Sequence, residues 1–91
     1  MLYYNTRDDI SLENLGRVNT NKVRLGDLQL WFSYSSIVAF SHPKTGLMCC
    51  QNEWSTTTGK LLNELEPDKS KRIGFDEFDK ELSKLLKKVL K

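Results

Sequence analysis

The sequence predicts a small α+β domain, in which an antiparallel sheet of three to four strands carries two helices. Apolar and polar residues alternate from Leu28 to Tyr34, the period-two pattern of a strand with one buried face. A Ser/Thr-rich segment followed by leucines predicts a short helix at about residues 56–65. Large apolar residues then recur every three or four positions and predict a C-terminal amphipathic helix at about residues 75–90.

The first 20 residues carry no regular pattern, and we expect a weakly structured N-terminal arm that a partner could order. Residues 21–91 then form a single α+β domain, a size typical of one folding unit. Within that domain, residues 23–25 read as a strand, Gly26 and Asp27 as a tight turn, and Leu28 as the start of the next strand.

Two further strands follow. The continuous apolar run at residues 37–40 is typical of a strand that lies inside a sheet. Proline and glycine in residues 42–46 indicate a hairpin loop, after which residues 47–51 return as a strand. Ile73 is expected to add one strand residue or a docking contact.

The two helices have recognisable ends. Hydroxyl side chains precede the short helix, where they accept hydrogen bonds from free backbone N–H groups, and Pro67 follows it. The longer helix has acidic residues in its first turns and lysines in its last, as the helix dipole favours. We expect its apolar stripe to cover one face of the sheet, with the shorter helix alongside.

Composition narrows the function classes. The 91 residues have a net charge of +2, too small to indicate nucleic acid by itself. Residues 1–66 hold six Lys/Arg and seven Asp/Glu, whereas residues 67–91 hold eight and five, so the basic excess is C-terminal. Those lysines are either a solvated helix face or a phosphate-binding patch. Without a signal peptide or a long apolar run, we expect a cytoplasmic protein, in the host cytoplasm if it is viral.

Neither a metal nor a catalytic group is indicated. Cys49 and Cys50 are adjacent, so on a strand they point to opposite faces and cannot hold one metal together. No spaced cysteine partner exists for a disulfide, which favours a reducing compartment. His42 lies in the hairpin loop, and a thiolate–imidazole pair with a cysteine would lack a third group. We therefore expect a non-enzymatic protein with no cofactor and no metal.

The segment from Trp54 to Lys60 is the first candidate site. It is not a phosphate-binding loop of the usual kind, because Trp54 stands where that loop needs its first glycine and Leu61 follows Lys60. Its hydroxyls either cap the helix only or hold an anion at the helix N-terminus. Our first hypothesis is a module that contacts nucleic-acid phosphates and stacks a tryptophan on a base. The residues proposed for this contact are Trp54, Ser55, Thr56, Thr57, Thr58, Lys60, Lys22 and Arg24.

An aromatic surface is the second candidate. Trp31 falls on the polar side of its strand, opposite Leu30 and Phe32, where an aromatic residue forms a contact surface or a second small core. If the short helix covers that side, both tryptophans belong to the core. Our alternative hypothesis is a protein-interaction module, a host-factor inhibitor or a homodimer, that uses Trp31, Tyr3 and Tyr4 and an open sheet edge.

Two segments resemble a known family. They are S-Y-S-S-I-V-A-F at residues 33–40 and N-E-W-S-T-T-T-G-K-L-L-N at residues 52–63. The chain is similar there to small proteins of bacteriophages, archaeal viruses and archaeal mobile elements, which share a V-A-F strand, a hairpin and an N-x-W-S-x-T-T-G-K-x-L-N motif. The resemblance implies an accessory protein of viral or mobile-element type, or its cellular relative, that works inside the cell, and it transfers no established activity. Many members have histidine at the position of Leu61, so a helix-packing role is expected here.

Overall fold

The computed structural model of the protein, which describes residues 3–7, 10–16, 19–54 and 56–89, is an α+β fold with one antiparallel sheet and two α-helices. Six strands follow one another in chain order across the sheet, each paired with its neighbour in sequence. They are β1 (Tyr3–Arg7), β2 (Ile10–Asn14), β3 (Thr20–Leu25), β4 (Leu28–Ser33), β5 (Ser36–His42) and β6 (Gly46–Cys49). The helices are α1 (Thr56–Leu65) and α2 (Phe75–Val89), with a short 3-10 turn at Lys69–Lys71 between them.

The sheet is larger than the sequence predicts. We predicted three to four strands, and the sheet has six. The two additional strands, β1 and β2, lie in the residues that we expected to form a weakly structured arm. All five residues of β2 pair with β3, from Ile10 opposite Leu25 to Asn14 opposite Asn21. A partner strand on each side satisfies the backbone groups of β2, so this weakly patterned segment is held by its ladder.

The central hairpin agrees with the sequence and adds a bulge. Strands β4 and β5 are joined by the two-residue turn Tyr34–Ser35, since Ser33 pairs with Ser36. The register shifts by one residue where Trp31 faces Ala39, which leaves Val38 as the extra residue of a β-bulge. As a result, Val38 and Ala39 both join the core on one face of the sheet, while Phe40 joins the core on the other.

The two helices cover opposite faces of the sheet. Helix α2 packs on the first face, where Phe78 lies with its ring centroid 5.3 Å from that of Phe40. Helix α1 packs on the second face, so it is not alongside α2 as expected. The first core contains Leu28, Leu30, Phe40, Cys50, Phe78, Leu82 and Leu85. The second core contains Trp31, Val38, Ala39, Cys49, Leu61 and Leu62.

Both helices lie where the sequence predicts them. The segment between them is hydrogen-bonded to the end of the sheet through Ile73. Ile73 forms a parallel bridge with Cys50 and exchanges backbone hydrogen bonds with Gln51 and Cys49. This confirms that Ile73 adds one strand-like residue. The connection carries the chain from the α1 face to the α2 face past the end of β6.

Candidate functional site

The side chains of the segment from Trp54 to Lys60 are divided between the core and the surface. Thr56 and Lys60 are exposed and Thr57 is half-buried, whereas Thr58 is fully buried. The Thr58 hydroxyl lies 2.6 Å from that of Ser33, which is also buried, in a hydrogen bond between α1 and β4. Thr58 therefore cannot present its hydroxyl to a ligand as we expected. Ser55 lies outside the described residues.

Trp54 joins the two layers of the protein. It is half-buried and packs against both cores, with its ring in an edge contact with that of Phe75 at 6.2 Å between centroids. Its backbone N–H donates to the side-chain oxygen of Asn52 at 2.9 Å. The indole is therefore shared between packing and surface, whereas the nucleic-acid hypothesis assigned it an open stacking face.

The other predicted residues lie in strands β1, β3 and β4. Trp31 is only 9% exposed because α1 covers it, which confirms the alternative that it belongs to the core, and it does not offer the contact surface of the protein-interaction hypothesis. The Lys22 ammonium lies over the Trp31 ring, 5.2 Å from its centroid, and Arg24 is half-buried further along β3. Tyr3 and Tyr4 lie in β1, but their side chains are outside the described residues.

A polar cleft lies between α1 and the segments on either side of it. Its volume is about 350 Å³. It is lined by Gln51, Asn52, Gly59, Asn63, Lys69 and Arg72. Gly59 and Asn63 are four residues apart on α1 and therefore share one side of the helix. A Cβ at Gly59 would meet the Asn52 side-chain nitrogen at 3.0 Å, so the glycine keeps this part of the cleft open.

Arg72 is the unusual residue of the cleft. It is 6% exposed, and its Nε and Nη2 donate to the backbone oxygen of Glu66 at 3.1 and 2.8 Å. Nη2 also donates to the side-chain oxygen of Asn63 at 2.7 Å. The last turn of α1 contains no basic residue, so Arg72 supplies from outside the cation that a helix C-terminus favours.

The charge of Arg72 has no acidic partner within the part of the chain that the structure describes, since all three of its hydrogen bonds go to neutral oxygens. Its Nη1 makes no hydrogen bond there and is not fully sealed from solvent, and Arg72 is one of the residues that line the cleft. Buried charges are normally paired. This arrangement places a positive charge without an acidic partner in the wall of the cleft.

The other charged residue of the cleft lining is also positive, although the Asp68 carboxylate next to it in the chain is negative. Exposed Lys69 is the second cation of the lining, which includes no carboxylate. The neighbouring Asp68 carboxylate accepts hydrogen bonds from the Ser70 hydroxyl and N–H, which hold the pKa of Asp68 below its usual range. The cleft is therefore suited to an anionic group, with side-chain amides around it that can both donate and accept hydrogen bonds.

The cysteines and the histidine do not form a reactive site. Burial raises the pKa of both Cys49 and Cys50 to about 11, and the Glu66 charge adds to the effect at Cys49. His42 pairs with Gly46, whereas Cys49 pairs with Ala39, three positions away and so roughly 10 Å along the strand. Neither thiol is a thiolate at neutral pH, and His42 does not activate one.

The described residues contain neither a cluster of metal ligands nor a helix that could span a membrane. Among residues 3–7, 10–16, 19–54 and 56–89, no three His, Cys, Asp or Glu side chains lie close enough to hold a metal ion. The helices in those same ranges are too short or too polar to cross a membrane.

Comparison with known proteins places the chain in a family. No curated protein and no solved structure matches it. Residues 2–80 match the model of a family described as a family of unknown function, DUF8033. The match covers most of the 91 residues, including the whole sheet, α1 and the cleft. The chain therefore belongs to the DUF8033 family.

Proposed function

We propose that this protein is a small non-enzymatic binding module that contacts nucleic acid, with a backbone phosphate held in the polar cleft. The observation that carries the proposal is the buried guanidinium of Arg72, which lines the cleft and has only neutral hydrogen-bond partners among the described residues. A phosphate would give this charge the acidic partner that the described residues do not provide. Guanidinium groups suit phosphates because their planar N–H groups match the spacing of the phosphate oxygens.

The lining also suits the groups next to a phosphate. Gln51, Asn52 and Asn63 offer amides that can hydrogen-bond a sugar or a base edge. Exposed Lys69 at the rim adds a second, more mobile cation. On the outer side of α1, Thr56 and Lys60 are exposed and are proposed to contact the next phosphates of a strand. The proposed site therefore includes part of the segment 52–63 that the sequence singled out. Its cleft is lined by the asparagines and the glycine of that segment instead of by its hydroxyl groups.

A pair of lysines on the 3-10 turn provides a matched test. Lys69 lines the cleft, whereas Lys71 is equally exposed on the same turn and does not. Binding of fluorescein-labelled 12-nucleotide DNA and RNA would be measured by anisotropy at several salt concentrations. We expect Lys69→Ala to weaken binding by about threefold to tenfold and to lower the salt slope by about one. Lys71→Ala should change the affinity less than twofold.

Two results would count against the proposal. Equal effects of the two lysine substitutions would show that only overall charge matters. Affinity that does not change between low and moderate salt would exclude phosphate contacts, because these release counterions. The viral or mobile-element origin and the cytoplasmic location stay predictions from the sequence.

A further inference from the structure

A second groove, separate from the polar cleft, lies on the other face of the sheet where α2 begins. It runs between the N-terminal half of α2 and the β4–β5 turn and has a volume of about 290 Å³. Its walls include Phe32, Ile37, Trp54, Phe75 and Phe78, with Asp79 as its one ionisable residue. The two sites differ in chemistry, since one is polar and cationic and the other is aromatic and acidic.

Phe75 is the exposed aromatic side chain of the groove, and half-buried Trp54 lies next to it. Phe75 is 47% exposed, which is high for a large apolar residue, and its ring meets that of Trp54 at an angle of 68°. The two rings therefore form a corner instead of a stack. A corner of this kind offers one ring face and one ring edge to a group that enters the groove.

The charge of the groove selects the ligand. Exposed Asp79 forms no ion pair within the described residues, and neither do Asp76 and Glu77 in the first turn of α2. The position of these acids agrees with the dipole of α2, which explains their presence without requiring a ligand. These acids still determine the sign of the charge that a ligand meets, because the groove has no cation in its lining. It repels phosphates and attracts positive charge.

We propose that this groove binds a lysine or arginine side chain of a protein partner. The aliphatic part of that side chain would lie against Phe75 and Trp54, and its charged end would reach Asp79. Cations are attracted to the faces of aromatic rings, most strongly to tryptophan, and long basic side chains bury their stems on apolar surface. The argument for this occupant is charge complementarity together with an exposed aromatic corner.

The test uses NMR titration of the full chain with two peptides that differ in one residue, acetyl-Ala-Leu-Lys-Leu-Ala-amide and the same peptide with norleucine for lysine. We expect the lysine peptide to shift the indole N–H of Trp54 and the amides of Ser35 and Phe75, with a dissociation constant at least threefold lower than that of the norleucine peptide. Asp79→Asn should weaken lysine-peptide binding about threefold to fivefold. Asp76→Asn removes an equal charge outside the groove lining and should change it less than twofold.

Three outcomes would overturn the proposal. Equal binding of both peptides would show that the groove recognises apolar surface and not the lysine charge. The absence of any chemical-shift change up to 10 mM peptide would exclude the site. Concentration-dependent shifts of the same amides without peptide would mean that a second copy of the chain is the occupant. Because Asp79 is not in the polar cleft, Asp79→Asn should leave DNA binding within twofold of wild type, so this proposal and the nucleic-acid proposal can fail separately.

Discussion

Replacement of Thr58 by valine tests whether this residue belongs to the core or to a ligand site. Valine keeps nearly the same shape but removes the hydroxyl that lies 2.6 Å from the Ser33 hydroxyl. Ser33 is 2% exposed and would lose the one side-chain hydrogen bond that the described residues give it. A buried polar group without its partner costs about 1–3 kcal/mol, so we expect the free energy of unfolding to fall by about 2 kcal/mol. In a domain of this size the melting temperature should fall by roughly 10 °C.

Urea denaturation followed by far-ultraviolet circular dichroism would measure the change. The double variant Ser33→Ala/Thr58→Val removes both hydroxyls and should be more stable than the sum of the single effects predicts, by about 1 kcal/mol. Thr56→Val is the matched control, because Thr56 is exposed on the same helix, and it should stay within about 0.5 kcal/mol of wild type.

The same variants separate structure from ligand binding. If Thr58 acts through the core, Thr58→Val should leave DNA affinity within twofold under conditions where the variant is folded. The reasoning is refuted if Thr58→Val is as stable as wild type, or if the double variant loses the full sum of the two single losses. A large loss of DNA affinity in a folded Thr58→Val protein would indicate that Thr58 takes part in ligand binding.

Three other predictions concern particular groups. The pKa of Cys49 and Cys50, raised by burial from 9.0 to about 11, predicts no reaction with Ellman's reagent at pH 8 until urea unfolds the chain. Because the folded state holds these protons more tightly, the stability measured by urea titration should fall as pH rises from about 9 towards 11, and a flat profile would contradict this. Gly59→Ala should stabilise α1 by about 0.5 kcal/mol in urea titrations, since alanine favours helix, yet weaken DNA binding at least threefold because its Cβ displaces Asn52. Tyr34 has a φ of 58°, so Tyr34→Asn should raise the melting temperature and the free energy of unfolding by about 0.5–1 kcal/mol, and a loss of stability would argue that the exposed ring is anchored.

The fold was predictable where local pattern and tertiary structure agree. Alternation defined β4, the apolar run defined β5, and capping with helical periodicity defined both helices. Strands β1 and β2 were missed because their residues show little alternation and are held by pairing with β3 instead. The bulge at Val38 was also missed, since an apolar run has the same appearance with or without an extra residue.

The candidate site was less predictable than the fold. The burial of Thr58 follows from its spacing, because it precedes Leu61 and Leu62 by three and four residues and so shares their side of α1. The polar cleft depends on Arg72, which returns to α1 through a loop and caps it nine residues after Asn63. A contact of that kind depends on the path of the loop, which residue spacing does not determine.

The adjacent cysteines have a consequence for how the molecule unfolds. Cys49 belongs to one core and Cys50 to the other, so the peptide bond between them links the two hydrophobic layers, as do the bonds between Leu30 and Trp31 and between Ala39 and Phe40. Detaching either helix would expose one whole side of the strands that support the opposite helix. We therefore expect the backbone amides of β5 to exchange their hydrogen with heavy water only when the entire molecule unfolds. The free energy of opening should then be the same for all of these amides.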